Sequence, residues 1–297
     1  MYVFHRKITG RALTLALALL VIFLSVAPVL AAGEEGEVFV SLGQDLTAEE
    51  RAEILDRLGA SEEDPIVEVT NEEEHRYLGE FVPKENIGNR ALSSAKVTLT
   101  APGTGLDVTT SEHIFYITPK MYEQALTTAG ITDAKVLVDG PGRVSGTAAL
   151  TGIMKAYELA AGDAISEEQK VVANEELVVT SSLAEVLGNE EAAAFIAQVK
   201  QTMAENAPES REEVRNIVVN IAGDLNLNLT ESQTEQVTDL FDNLRTLDVD
   251  WDAIAGKLQG AAEGAKEYLS SEEGQGLIRS IQEAVNSFFE WFAGLFQ

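Results

Sequence analysis

Between residues 37 and 139 the apolar positions fall in short alternating runs separated by amphipathic stretches. VFVSLG reads as a strand, and DLTAEERAEILDRLG takes over with helical spacing. Thr47 and Glu50 stand three apart at its start, the spacing in which each side chain bonds an amide that the first helical turn leaves unpaired, and Gly59 closes it. PIVEVT returns to a period of two, and NEEEHRYLG has room for one or two helical turns ending at Gly79. ALSSAKVTLT and LDVTTSEHIFYIT, rich in Thr, Val, Ile and aromatics, are two longer strands divided by the turn APGTG. PKMYEQALTTAG starts a helix at Pro119, where a missing N–H costs nothing, and DAKVLVDG is a fifth strand. The spacing predicts an α+β fold whose first module, residues 37–140, has the order β-α-β-β-β-α-β.

Beyond Pro141 the strand-like runs give way to a helical module over residues 143–297. Ser166 with Gln169, Ser182 with Glu185, Ser210 with Glu213 and Thr230 with Gln233 repeat the same start signature. Between them Val214, Ile217, Val218 and Ile221 share a face, as do Val237, Leu240, Phe241 and Leu244. An amphipathic helix over residues 276–297 carries a narrow apolar seam that its aromatics broaden. Phe288, Trp291, Phe292 and Leu295 are its candidate interaction residues. Glu283, Glu290 and the scarcity of Lys and Arg oppose a membrane surface, so docking on the domain or homo-association is expected of it.

The stretch DGPGRVSGTAALTGIMKAYELAAGD joins the two modules. Gly140, Gly142 and Gly146 are spaced one residue too long for a dinucleotide fingerprint, no Gly-Lys-Ser or Gly-Lys-Thr comes after them, and Ser145 is not in G-x-S-x-G. The loop therefore reads as a turn. After it, Ala148, Gly152, Ala156 and Ala160 recur every four residues as a flat ridge, with Leu150, Ile153, Met154 and Tyr157 elsewhere on the surface. A helix apolar over most of its circumference is buried, so this one is expected at the centre.

The N-terminus decides the compartment. Arg6, Lys7 and Arg11 precede a charge-free apolar run, and small residues at Val29, Ala31 and Ala32 come after Pro28, the pattern of a signal peptide over residues 1–32. The run from Ala12 to Ala32 is also long enough for an uncleaved anchor, although Pro28 and the small residues favour cleavage. Cleavage removes three basic residues and no acid, taking the formal charge from −28 to −31. So acidic a chain is no nucleic-acid binder, because phosphate backbones are held by clusters of Lys and Arg. Its field attracts divalent cations, cationic wall components and basic proteins instead. With no cysteine, an exported chain must fold by apolar burial alone.

VFVSLGQDLT, TNEEEHRYLG, IGNRALSSAKV, YITPKMYEQALTTAG, VSGTAALTGIMKAYE and ISEEQKVVANEELVVT occur in that order. Together they resemble the exported bacterial family described as domain of unknown function 1002, from about Val38 to about Gln201. The resemblance implies a secreted or surface-held protein of Gram-positive type and carries over no catalytic residue.

Chemistry must be sought from residue types. His113 alternates with Phe115 and Ile117 as if on one strand face, and His75 comes after three glutamates on a solvated stretch. Neither has the companions of a zinc site. Ser93 and Lys96 have the S-x-x-K spacing of penicillin-recognising enzymes, but on a strand residues three apart face opposite sides. Asp248, Asp250 and Asp252 begin like a calcium loop whose turn glycine is replaced by Ala253. Asp224, Asn226, Asn228 and Glu235 match the first, third, fifth and twelfth positions better, with Leu229 at the glycine position. No cofactor is expected, calcium apart. The pattern as a whole points to an acidic, non-enzymatic binding or interaction protein of the cell envelope, partnered by an envelope component or a protein, with no integral membrane domain once the leader is removed. The alternative is a cell-wall or peptide hydrolase whose carboxylates the sequence does not pair.

Overall fold

A computed structural model describes residues 35–82, 87–162, 164–252 and 254–256. These residues fall within a single compact unit. The strands β1 (Val38–Gly43), β2 (Ile66–Val69), β3 (Ser94–Leu99), β4 (Leu106–Thr110) and β5 (Ala134–Asp139) form one sheet in the order β2-β1-β3-β5-β4. Helix α1 (Ala48–Leu58) links the parallel pair β1 and β2, and α3 (Pro119–Thr128) links the parallel pair β4 and β5. Between the pairs runs β3, antiparallel to both β1 and β5. The short helix α2 (Asn71–Leu78) comes directly after β2. This is the expected strand and helix order, and the fold is α+β.

Both faces of the sheet are covered, and the alternation of side chains along β1 divides them. Val38, Val40 and Leu42 pack with Ile54, Leu55 and Leu58 of α1. Phe39 turns to the other face, where Val97, Val136 and Val138 meet α3 and the long helix α4 (Thr147–Ala161). As its ridge predicts, α4 is buried over most of its circumference, but its partner is the sheet rather than the helices later in the chain. A Cβ at Gly152 would stand 2.4 Å from Ser41 Oγ and 2.9 Å from Val69 Cγ2, so only glycine lets α4 lie this close to β1 and β2.

Behind α4 come α5 (Glu167–Leu187), α6 (Asn189–Asn206), α7 (Arg211–Asp224) and α8 (Glu231–Arg245). Their core unites Leu183, Phe195, Val199, Val218, Leu240 and Phe241. Four start signatures hold: Thr47, Ser166 and Thr230 make reciprocal caps with Glu50, Gln169 and Gln233, and the Ser210 hydroxyl accepts from Glu213 N. Ser182 is the exception, lying inside α5 rather than capping a new helix. The break comes six residues later at Gly188, whose φ of 99° and ψ of 155° belong to a region open essentially to glycine. Thr180 and Ser181 sit in the helix interior by donating back to Glu176 O and Leu177 O, so a hydroxyl does not by itself mark a start. The 276–297 helix, with Phe288, Trp291, Phe292 and Leu295, lies outside the described residues.

A buried charged cluster joins the helical layer to the sheet layer. Lys200 of α6 and Glu176 of α5 are fully buried and paired. The Lys200 ammonium also donates to Gln124 O at 3.0 Å and Thr128 Oγ1 at 2.8 Å, both on α3, while the Thr128 hydroxyl donates to the second Glu176 oxygen. All three ammonium donors and both carboxylate oxygens are thereby used. Burial pushes the Lys200 pKa down, and Glu176 opposes it.

Two changes test this packing. Gly152→Ala should lower the urea midpoint, because overpacking costs about 1–3 kcal/mol against about 1 kcal/mol of helix propensity gained; an unchanged or raised midpoint would refute the close approach. Lys200→Met should cost about 3–5 kcal/mol by stranding Glu176, and adding Glu176→Leu should recover most of the loss. Equal losses in the single and double variants would mean that the pair is not the fastening.

Candidate functional site

The carboxyl ends of the parallel strands β4 and β5 lie side by side, the position at which open α/β sheets hold ligands. From β4 the chain continues through Ser111 to Ile117, and from β5 through Gly140 to Gly146. The two segments are laced together. Val144 N donates to His113 O at 2.9 Å, Phe115 N to Val144 O at 3.2 Å and Ile117 N to Ser145 O at 3.2 Å, and Ile114 bridges Val144 in parallel. The expected long strand from Leu106 to Thr118 is thus corrected: β4 ends at Thr110, Ser111 N still donates to Val138 O of β5, and the segment from His113 to Ile117 pairs with the loop after β5 rather than with the sheet. His113, Phe115 and Ile117 accordingly do not share a face. Ile117 is buried, whereas Phe115 is 52% exposed.

Asp139 is the hub of this corner. Its buried carboxylate accepts Arg57 Nε at 2.6 Å, Ser111 Oγ at 2.5 Å, His113 Nδ1 at 2.9 Å and Gly140 N at 2.7 Å. Burial alone would raise its pKa, but these four donors outweigh it and hold the carboxyl below its ordinary range. Arg57 also reaches Gly140 O at 2.6 Å, tying α1 to the loop. The glycines of the loop are sterically required at two places. A Cβ at Gly140 would stand 2.3 Å from Val144 Cγ2; one at Gly146, where φ is 101°, would stand 2.5 Å from the Tyr122 hydroxyl. The glycine-rich stretch is a braced turn.

Serine, histidine and aspartate therefore meet, but in the wrong order for nucleophilic catalysis. A triad needs the serine on one imidazole nitrogen and the aspartate on the other. Here Ser111 donates straight to Asp139, and its oxygen lies 3.4 Å from the same Nδ1 that Asp139 holds. His113 cannot take the Ser111 proton through Nε2. The arrangement instead fixes the imidazole and stiffens the segment that displays Phe115. Over that ring lies the guanidinium of Arg143, 4.4 Å from the centroid.

A family model described as Protein of unknown function (DUF1002) matches residues 42–261. The chain belongs to the DUF1002 family. It is 41% identical over 283 residues to "Uncharacterized protein YpuA" of Bacillus subtilis (strain 168), a match covering 95% of this chain and 97% of that protein. No solved structure gives a significant match.

In this DUF1002 chain the sequence-derived candidates are dispersed. Ser93 accepts Ala149 N at 3.0 Å near the start of α4, while Lys96 reaches Gly59 O at the end of α1 on the opposite face, as strand geometry requires. His75 Nε2 contacts Gly88 O at 2.9 Å. Asp224 ends α7, and Asn226 takes a left-handed turn with φ of 56°. Thr230 caps α8, and Glu235 on α8 accepts Arg211 at 2.5 Å and Arg215 at 3.1 Å. Glu235 is thus engaged by two arginines, while Asp224, at the end of α7, and Asn228, in the loop after it, are exposed. Among the described residues no group of three or more His, Cys, Asp or Glu side chains is arranged to hold a metal ion.

Sequence reasoning passed over Glu74. It lies on α2, is 2% exposed, and accepts Thr147 Oγ1 at 2.9 Å and Asn71 Nδ2 at 3.3 Å at the amino end of α4. Burial outweighs these bonds and raises its pKa to about 6. The signal was present, since Glu74 shares the helical face of Leu78, but the neighbouring Glu72 and Glu73 masked it. Because the folded pKa exceeds the ordinary 4.5, this group favours folding fully below that value and the advantage is lost as pH rises through about 6. Glu74→Gln should therefore stabilise by about 1–2 kcal/mol at pH 7.5 and give no gain at pH 4.5. Urea titrations at both values check this, and an equal effect at both would refute it.

Proposed function

We propose that this chain is exported and acts outside the cytoplasm as a strongly acidic, non-catalytic binding protein of the bacterial envelope. The leader-like first 32 residues, the lack of cysteine and the formal charge of −28 support this reading. The observation that carries it is the use made of Ser111, His113 and Asp139. These residues are spent on bracing two loops, and the braced loops offer to solvent an aromatic ring under a guanidinium. Phe and Arg are residue types enriched where proteins bind one another. A hydrolase reading would need a solvent-reachable acid and base. Glu74, the described carboxyl whose pKa is raised furthest toward neutrality, is withdrawn from solvent and bonded to Thr147 and Asn71.

The test is retention of envelope components by the immobilised exported protein, compared with a Phe115→Ala/Arg143→Gln variant. The wild type should hold a component through physiological salt, and the variant should lose most of it. Failure to retain anything, equal retention by the variant, or recovery of the native protein from the cytoplasm with its first thirty residues attached would each overturn the proposal.

A further inference from the structure

Arg143 stands apart from the other basic residues of the fold. Every other described arginine, from Arg51 to Arg245, reaches at least one carboxylate. Arg143 reaches none among the described residues, although acids outnumber bases by 49 to 21 in the chain. Its visible partner is the Phe115 ring, itself the one aromatic among the strongly exposed large apolar side chains described. An exposed guanidinium over an exposed ring is a weakly favourable contact. That contact uses the face of the guanidinium and none of its N–H donors.

We propose that Arg143 and Phe115 form a docking point for a polypeptide carboxylate, the guanidinium taking the carboxylate and the ring taking an adjacent apolar side chain. This rests on the reading of the chain as a binding protein. Two features fit the surface to that ligand. A guanidinium matches a carboxylate in two parallel hydrogen bonds, a geometry that neither a lysine nor a neutral donor reproduces. The frame is stiff, because Arg143 rides on the loop held by Gly140, Val144 and Asp139, and Phe115 rides on the segment held by Ser111 and His113. Little order is lost on binding to such a surface.

Charge selects the carrier. A polymer of phosphates would bring many anions against a strongly acidic protein, with one unpaired guanidinium among the described residues to receive them. A polypeptide segment that is basic overall and delivers a single carboxylate meets a favourable field at long range and a favourable contact at Arg143. Beside the ring, Tyr116 donates to Glu185 at 3.3 Å, so a carboxylate on α5 is within reach of basic residues in such a segment.

The probes are three short lysine-rich peptides of one sequence ending in leucine: the free acid, the C-terminal amide, and an amide with glutamate before the leucine. Titrated into the protein recovered after export, the free acid or the glutamate peptide should bind at least tenfold more tightly than the plain amide, and which of the two wins identifies a terminal or a side-chain carboxylate. Arg143→Gln should abolish the preference, Arg143→Lys should restore part of it, and Phe115→Ala should weaken all three peptides. Equal binding of all three to the wild type, binding of none, or a preference that survives Arg143→Gln would overturn the proposal. Retention of an envelope component that Arg143→Gln leaves untouched but the Phe115→Ala/Arg143→Gln variant loses would preserve the binding-protein reading and sink this one. Discrimination among the peptides with no envelope component retained would do the reverse.

Discussion

A lysine ammonium and a glutamate carboxylate, both withdrawn from water, hold the two layers of this protein together. Lys200 and Glu176 come from neighbouring helices, and Gln124 and Thr128 bring in a third that belongs to the sheet. Desolvating two charges is costly, and the cost is offset only where every donor and acceptor finds a partner at close range. Here each does. The consequence is directional: hydrogen bonds from Lys200 and Thr128 tie α3, α5 and α6 to one another at specific atoms. Hydrophobic burial collapses the helices onto the sheet, and the ion pair selects how they sit.

The same logic recurs at the carboxyl edge of the sheet with a different product. Asp139 gathers four donors from α1, the β4 extension and its own loop. Residues that on paper could be a catalytic set are consumed in making a corner rigid. The corner presents something chemically simple, an arginine over a phenylalanine. In a chain whose described arginines are otherwise neutralised, that simplicity is itself distinctive. Membership of the DUF1002 family and the likeness to a Bacillus subtilis relative over nearly the full length of both chains make this corner a place to compare within the family.

The surplus of acid shapes the molecule beyond its surface. Glu74, Glu175 and Glu191 are all nearly buried, and burial raises the pKa of each. Such groups favour the folded state at mildly acidic pH and oppose it as they ionise. Self-repulsion among surface acids acts in the same direction. Stability and charge are therefore coupled in this protein through specific side chains as well as through its net field.

Local chemistry along the chain determined the α+β class, the strand and helix order, four helix starts and the buried nature of Thr147–Ala161. Each depends on neighbours within a few residues, through the 3.6 and 2.0 periods and the amides freed at a helix start. Ser182 shows the limit of such signals, because a helix interior held by packing tolerates a cap-like pair. Lys200 and Glu176 were legible only as charges interrupting apolar seams, Ile196–Val199–Met203 and Val172–Ala173–Leu183. That they meet, that Ser111 and His113 converge on Asp139 across 26 to 28 residues, and that Arg143 finds a ring rather than a carboxylate are facts of distance in space. Tertiary structure alone decided them, because side-chain partnerships between segments depend on where the backbone places two groups, and one-dimensional spacing carries no such distance.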